Sequence, residues 1–267
     1  MFIEERHKAI LEILDTNGSI TTGEIQERFN VSYDSAKRDL RILEEKGLLK
    51  RTHGGALPVR QIAASKPPMQ TCGEITAVKE NYHAIAMHAV SMLKNGDVIF
   101  LISATLGFFI AQNIPADLKL RVVTNSITIA EELRKKPNVA VIMLGGEMDN
   151  KGNCYDAFAI DTIRRLRFDK SFITAAAISP EFGLSIQRSQ AISFYNAVID
   201  SSKQVIGLFP TEKIGFESVV SICPANKLDV LVTDWNALEE DLSGFDEQGI
   251  EITIIDKESQ RDKQYFS

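Results

Sequence analysis

The chain has 267 residues, 44% hydrophobic and 25% charged, an ordinary globular composition that can bury a core and excludes a disordered polymer. Thirty Lys and Arg against thirty-six Asp and Glu give a net charge of −6, so any nucleic-acid-binding face has to be local rather than a property of the whole protein. No run approaches the roughly 18 apolar residues that span a bilayer, and the start "MFIEERHKAILEIL" carries acids with helical periodicity where a signal peptide has a basic patch and an apolar run. A cytoplasmic protein with no membrane partner is expected. The three cysteines, Cys72, Cys154 and Cys223, are far apart and form no CxxC pair, which reads as reduced packing residues without disulfide, zinc or other cofactor. The length favours one small and one larger domain.

Charge is unevenly divided along the chain. Residues 1–60 hold ten bases and ten acids, but residues 31–60 hold seven bases against four acids. Ile3, Ile10, Leu11 and Leu14 fall at helical spacing, and "DTNGS" at 15–19 ends that first helix. "TTGE" at 21–24 is a capping-box pattern opening a short second helix with Ile25 and Phe29 on one face. After "NVS", Ser32 is placed to cap a third helix whose inward positions are Ala36, Leu40 and Leu43, with Val31 stapled to Ala36. Two short helices so closely joined describe a helix-turn-helix. Beyond Gly47, a C-cap, "LLKRTHGGAL" reads as two brief strands joined at Gly54-Gly55, a wing.

The inward face of the third helix fixes its outward one. Tyr33, Asp34, Ser35, Lys37, Arg38 and Arg41 then face a major groove, where Arg and Lys read guanine edges and Ser or Tyr meet phosphates. Thr22 and Ser32 at the helix starts, with Lys50, Arg51, His53 and Gly54 in the wing, complete the expected DNA contacts. Only here does the pattern become specific. "VSYDSAKRDLRILEEKGLLKRTHGGA" resembles the winged helix-turn-helix of the DeoR family of bacterial transcription regulators at nearly every motif position. Ser35, Ala36 and Lys37 are the departures, and Lys37 offers a point charge where an Arg forms a bidentate fork.

"LPVRQIAASKPPMQTCG" over 57–73 holds three prolines and little periodicity, so residues 1–57 read as the DNA-binding domain, 58–73 as a linker and 74–267 as a second domain. Helix resumes over about 76–94 with Ile85, Ala86, Ala89, Val90 and Leu93 on one face. Apolar strands at 97–103, 120–126, 139–146, 170–178, 204–210, 228–234 and 251–256 then alternate with helices. Continuous apolar strands separated by helices predict a doubly wound, mainly parallel α/β sheet covered on both faces. Ligands of such sheets sit at the carboxyl ends of the strands. Those ends carry Ser103, Ala104 and Thr105, then Thr124, Asn125 and Ser126, then Gly145 and Gly146, which offer hydroxyls and helix N-termini to an anion or serve as ordinary caps. Lys203 and Lys213 are candidate phosphate partners or solvated lysines.

This half is also similar to the DeoR family, through "VVTNS", "LGGE", "RFDKSFI", "EFGLS" and "LVTD". The resemblance implies a sensor domain like sugar-phosphate isomerases and deaminases, responding to a phosphorylated sugar or related metabolite. Ile102, Ala104, Leu106 and Thr174 depart from the family pattern, leaving open a degenerate pocket that binds no sugar phosphate. An isomerase or deaminase activity needs a proton-moving group at the cleft. Ile102 takes the place of one acid, His7, His53, His83 and His88 all precede the first sheet strand, and only Glu147 and Asp149 remain, so no catalytic residues are expected. The reading is a repressor of a carbohydrate-metabolism operon that binds double-stranded operator DNA. Because one winged helix reads only a short half-site, it is expected to act as a homo-oligomer, at least a dimer.

Overall fold

The computed structural model describes residues 3–17, 19–58 and 80–257; Cys72 and the expected linker beyond Pro58 lie outside them. The chain divides into two compact units, each with its own core. Among the described residues no helix is long and apolar enough to cross a membrane.

The smaller unit runs α1 (Ile3–Asn17), β1 (Ile20–Thr21), α2 (Thr22–Phe29), α3 (Tyr33–Glu45), β2 (Leu49–Thr52) and β3 (Gly55–Pro58). The capping box at the start of α2 is complete: Glu24 N donates to Thr21 Oγ1 at 3.1 Å, and Thr21 N to Glu24 Oε2 at 2.8 Å. Ser32 caps α3 by accepting from Ser35 N at 3.2 Å, and Gly47 ends it with φ +67°, a conformation that glycine adopts without strain. Ile10, Leu14, Ile25, Ala36, Leu40 and Leu43 converge in the core, whereas Ile3, expected on the same stripe, is exposed. The wing is a three-stranded sheet, not a bare hairpin, because β1 pairs with β3. That third strand explains Gly55, since a Cβ there would lie 2.0 Å from Ile20 O.

The larger unit runs α4 (Glu80–Ser91), β4 (Val98–Leu101), α5 (Thr105–Asn113), β5 (Leu120–Thr124), α6 (Ile127–Leu133), β6 (Val139–Met143), α7 (Ala157–Arg164), β7 (Lys170–Ile173), β8 (Ala177–Ser179), β9 (Gly183–Ile186), α8 (Ile192–Asp200), β10 (Val205–Leu208), β11 (Val220–Cys223), β12 (Val230–Asp234), α9 (Glu239–Asp246) and β13 (Glu251–Ile255). Seven of these strands form one sheet, ordered β13-β12-β10-β7-β4-β5-β6, with every neighbouring pair parallel. Its inner strands are buried on both faces, as the unbroken apolar runs require. Ile99 and Leu101 of β4 join the core shared with α4, α5 and α6; Phe100 between them meets Phe168 and Phe194 on the other side.

The run 170–178 is not one strand. It leaves the sheet after Ile173, where Tyr195 Oη donates to Thr174 O at 2.8 Å and Lys213 Nζ to Ala175 O at 2.9 Å. The chain then builds a separate antiparallel sheet, β11-β9-β8. Its tight turn requires Gly183, at φ +73°, where a Cβ would meet Cys223 O at 2.1 Å. Cys154 and Cys223 are buried free thiols, and burial pushes Cys223 up to about 11.

Candidate functional site

In the smaller unit, α3 presents the expected polar face. Ser32, Tyr33, Asp34, Lys37, Arg38 and Arg41 are exposed and Ser35 is half-buried, its hydroxyl bonded to the Ser32 hydroxyl. Lys37 Nζ lies 4.7 Å from the centre of the Tyr33 ring, so the two side chains order one another before any partner arrives. Lys50 is half-buried, and His53 and Gly54 are exposed at the wing tip.

Two expected contacts are engaged within the unit. Thr22 is buried and its hydroxyl donates to Gly54 O at 3.1 Å, which leaves it no face toward a groove. Arg51 Nε donates to Glu44 Oε2 at 2.5 Å while Arg51 N donates to Glu44 Oε1 at 2.7 Å. This ties the wing to α3. A further anchor is invisible to helical periodicity. Asp39, inside the Arg-Asp-Leu motif, is buried and accepts from Arg6 Nε at 2.6 Å and Arg6 Nη2 at 3.0 Å, with His7 Nε2 3.0 Å from its Oδ1. The bond to Asp39 raises the Arg6 pKa above its ordinary value. The fork fixes α3 on α1.

In the larger unit, the order of strands reverses at β4: β5 and β6 follow on one side, while β7, next in sequence, returns to the other. Such a switch point opens a crevice at the carboxyl ends of the two strands. Ser103, Ala104 and Thr105 follow β4 there, and Thr174 follows β7. Ala104 caps α5 with no side-chain bond. Thr105 is buried at 5% exposure, and its hydroxyl has no hydrogen-bond partner among the described residues. It sits in the first turn of α5, where helix N–H groups lack intrahelical partners. Lys213 reaches the end of β7 from beyond β10, donating to Thr174 Oγ1 at 3.2 Å as well as to Ala175 O.

Tyr155, which no spacing in the sequence marks, closes the other flank. Its hydroxyl bonds the Ser103 hydroxyl, and Asn125 bridges the same loop, accepting from Ser103 N at 3.1 Å and donating to Ser103 Oγ at 3.2 Å. Burial pushes the Tyr155 phenol up against opposing hydrogen bonds from Ser103 and Asn125, which keeps its O–H available as a donor. The remaining expected residues divide. Thr124, Asn125 and Ser126 are buried, and Ser126 N donates to Thr124 Oγ1 at 3.2 Å. Ser126 opens α6 without a side-chain cap; the first N–H of that helix, on Ile127, is taken by Gly152 O at 2.9 Å. Gly145 and Gly146 are exposed, and a Cβ on Gly146 would meet Asp156 Oδ1 at 2.2 Å. Backbone N–H bonds from Glu147 and Ala159 hold Asp156 below its ordinary pKa, so this loop is built to cap α7. Lys203 is the clear misfit. It precedes β10, at the amino ends of the parallel strands, and pairs with Asp169 at 2.8 Å.

A winged helix-turn-helix joined to a parallel α/β unit with a crevice at its switch point is the architecture of a DNA-binding transcription regulator. The chain belongs to the DeoR family: residues 6–61 match the model of the DeoR-like helix-turn-helix domain and residues 78–235 that of the DeoR C terminal sensor domain. It is 31% identical to the HTH-type transcriptional repressor GlcR of Bacillus subtilis, over 98% of this chain and all of that one. It is 28% identical to the glycerol-3-phosphate regulon repressor of Escherichia coli, over 86% of this chain and 90% of that one. Among solved structures, the ribose 5-phosphate isomerase from Plasmodium falciparum is 16% identical with a TM-score of 0.37, over 52% of each chain.

Proposed function

We propose that this regulator represses a carbohydrate-metabolism operon and that a phosphorylated sugar or related metabolite in the β4/β7 crevice controls its hold on operator DNA. The observation that carries the reading is the reversal of strand order at β4, with Ser103 and the start of α5 following β4 and Lys213 bonded at the end of β7. A phosphate there would accept from Thr105, Ser103 and the helix N–H groups, with Lys213 opposite. Relatives named as repressors, one of a glycerol-3-phosphate regulon, support the class of ligand. The crevice binds rather than catalyses in this reading, and two of the acids in the loop before α7, Asp149 and Asp156, have structural work. Asp149 Oδ1 accepts from Lys151 N and Asn153 N, both at 2.9 Å, and Asp156 caps α7.

Thr105→Val separates ligand binding from folding by sign. Removing a hydroxyl that has no partner among the described residues should leave the ligand-free protein equally stable or about 1 kcal/mol more stable, while weakening phosphate binding by about 1–3 kcal/mol. Calorimetry with a panel of sugar phosphates, alongside thermal unfolding, reads both. If no phosphorylated sugar gives heat with the wild type, the sensor reading fails. A ligandless crevice then takes its place, an alternative favoured by the buried, apolar Ile102.

On the DNA side we propose that Ser32, Tyr33, Asp34, Ser35, Lys37, Arg38 and Arg41 face the major groove while Lys50, His53 and Gly54 meet the backbone, within a homo-oligomer of at least two copies. Arg38→Ala should weaken operator binding by about 1–3 kcal/mol and relax sequence preference, whereas Lys50→Ala should weaken all DNA alike and flatten the salt dependence. Gel shifts at two salt concentrations test both. Unchanged operator affinity in Arg38→Ala would remove α3 as the reading element.

A further inference from the structure

Lys213 does not stand on a free loop. It ends a short 3-10 turn, Thr211–Lys213, and the first residue of that turn is held by Asp234 at the end of β12. Asp234 Oδ2 accepts from Thr211 N and Oδ1 from the Thr211 hydroxyl, each at 2.9 Å. The same Oδ2 accepts from Asn81 Nδ2 at 3.0 Å, and Asn81 Nδ2 also lies 3.2 Å from Glu212 Oε2 in the turn itself. Asn81, Thr211 and Asp234 are all buried. Asn81 is the second residue of α4, the first described element after the DNA-binding unit.

A buried carboxylate satisfied by several donors is a stiff joint, because displacing any one of them leaves charge without a partner in a medium of low dielectric. At its far end, Lys213 Nζ donates to Thr174 Oγ1 and Ala175 O at the end of β7. A phosphate at the start of α5 would offer that ammonium a full opposite charge as well as acceptor oxygens. Drawing Nζ toward the phosphate pulls on a turn that can move only with Asp234 and Asn81.

We propose that the Asn81–Asp234–Thr211 cluster transmits occupancy of the crevice, through Lys213, to the first turn of α4. This rests on the crevice reading above. Its placement supplies a probe: Trp235, the chain's single tryptophan, follows Asp234, and Lys257 Nζ lies 5.5 Å from its ring centre and 3.9 Å from Glu80 Oε2 in the same first turn.

The test titrates the full chain with inorganic phosphate, following heat, amide hydrogen exchange over residues 80–91 and Trp235 emission. The wild type should bind, slow exchange at the start of α4 and change its emission. Asn81→Leu should bind phosphate within about twofold of the wild type yet lose roughly fivefold or more of the α4 and Trp235 response. Thr211→Val, which keeps the backbone bond to Asp234, should show the same loss and stands in if Asn81→Leu does not fold. Variants that bind phosphate and retain the whole α4 response overturn the coupling and leave the crevice standing, as does wild-type heat without any response in α4. Absence of heat in the wild type overturns the crevice reading itself and the coupling with it.

Discussion

Asp39→Ala should destabilise the DNA-binding unit by about 3–5 kcal/mol, the cost of leaving a buried cation without its partner. The side chains of Arg6 and Asp39 are 10% and 4% exposed, so Arg6 cannot recover its hydration when the carboxylate goes. The loss is a large share of the roughly 5–15 kcal/mol that holds a domain together. An exposed pair such as Arg164 with Asp161, at 67% and 65% exposure, should by contrast contribute about 0–1 kcal/mol. Denaturant unfolding of the full chain, followed by circular dichroism, should show an early transition in Asp39→Ala, with operator binding lost over the same range. The double variant Arg6→Met, Asp39→Leu distinguishes a charge stranded by mutation from a contact the fold needs: an apolar pair of similar volume should restore most of the stability. Its operator affinity then reports whether the fork also aims α3. An unchanged midpoint in Asp39→Ala would remove the anchor.

The difference between what the sequence reveals and what it hides follows from the range of each interaction. Caps and helical stripes are local, so Thr21 with Glu24, Ser32 with Ser35 and the stripe Ala36, Leu40 and Leu43 are legible from spacing alone. The Asp39 fork is not, because Arg6 lies 33 residues upstream and a charged residue beside an apolar stripe reads as a solvated edge. The same holds for Asp234, 153 residues from Asn81. All seven strands of the parallel sheet were visible as apolar runs. The small antiparallel sheet was not, since "KSFITAAAI" contains no break in hydrophobicity, and what ends β7 is the arrival of Tyr195 and Lys213 from elsewhere in the chain. Lys203 and Lys213 differ for a reason that was within reach. One precedes β10 and the other follows it, and only the carboxyl end of a parallel strand opens on the crevice.

Phe194→Ala should cost about 3–5 kcal/mol in the larger unit, the usual range for deleting a fully buried aromatic, and should weaken phosphate binding although the residue bears no polar atom. Phe194 is fully buried; its ring centre lies 6.0 Å from that of Phe100 and 5.1 Å from that of Tyr155, meeting the latter edge to face at 73°. Removing it opens a cavity behind Tyr155, and the phenol that bonds Ser103 then has room to swing away from the loop on which the phosphate is proposed to sit. Phe194→Leu keeps much of the volume and should lose less stability while leaving Tyr155 backed. Tyr155→Phe keeps the wall and removes only the hydroxyl. If the ring acts through Tyr155, phosphate should raise the unfolding midpoint of Phe194→Leu nearly as much as that of the wild type. The rise should be smaller in both Phe194→Ala and Tyr155→Phe, because ligand stabilisation grows only with the logarithm of concentration over Kd. A Phe194→Ala protein that is less stable but gains as much from phosphate as the wild type would confine Phe194 to the core and detach Tyr155 from the site.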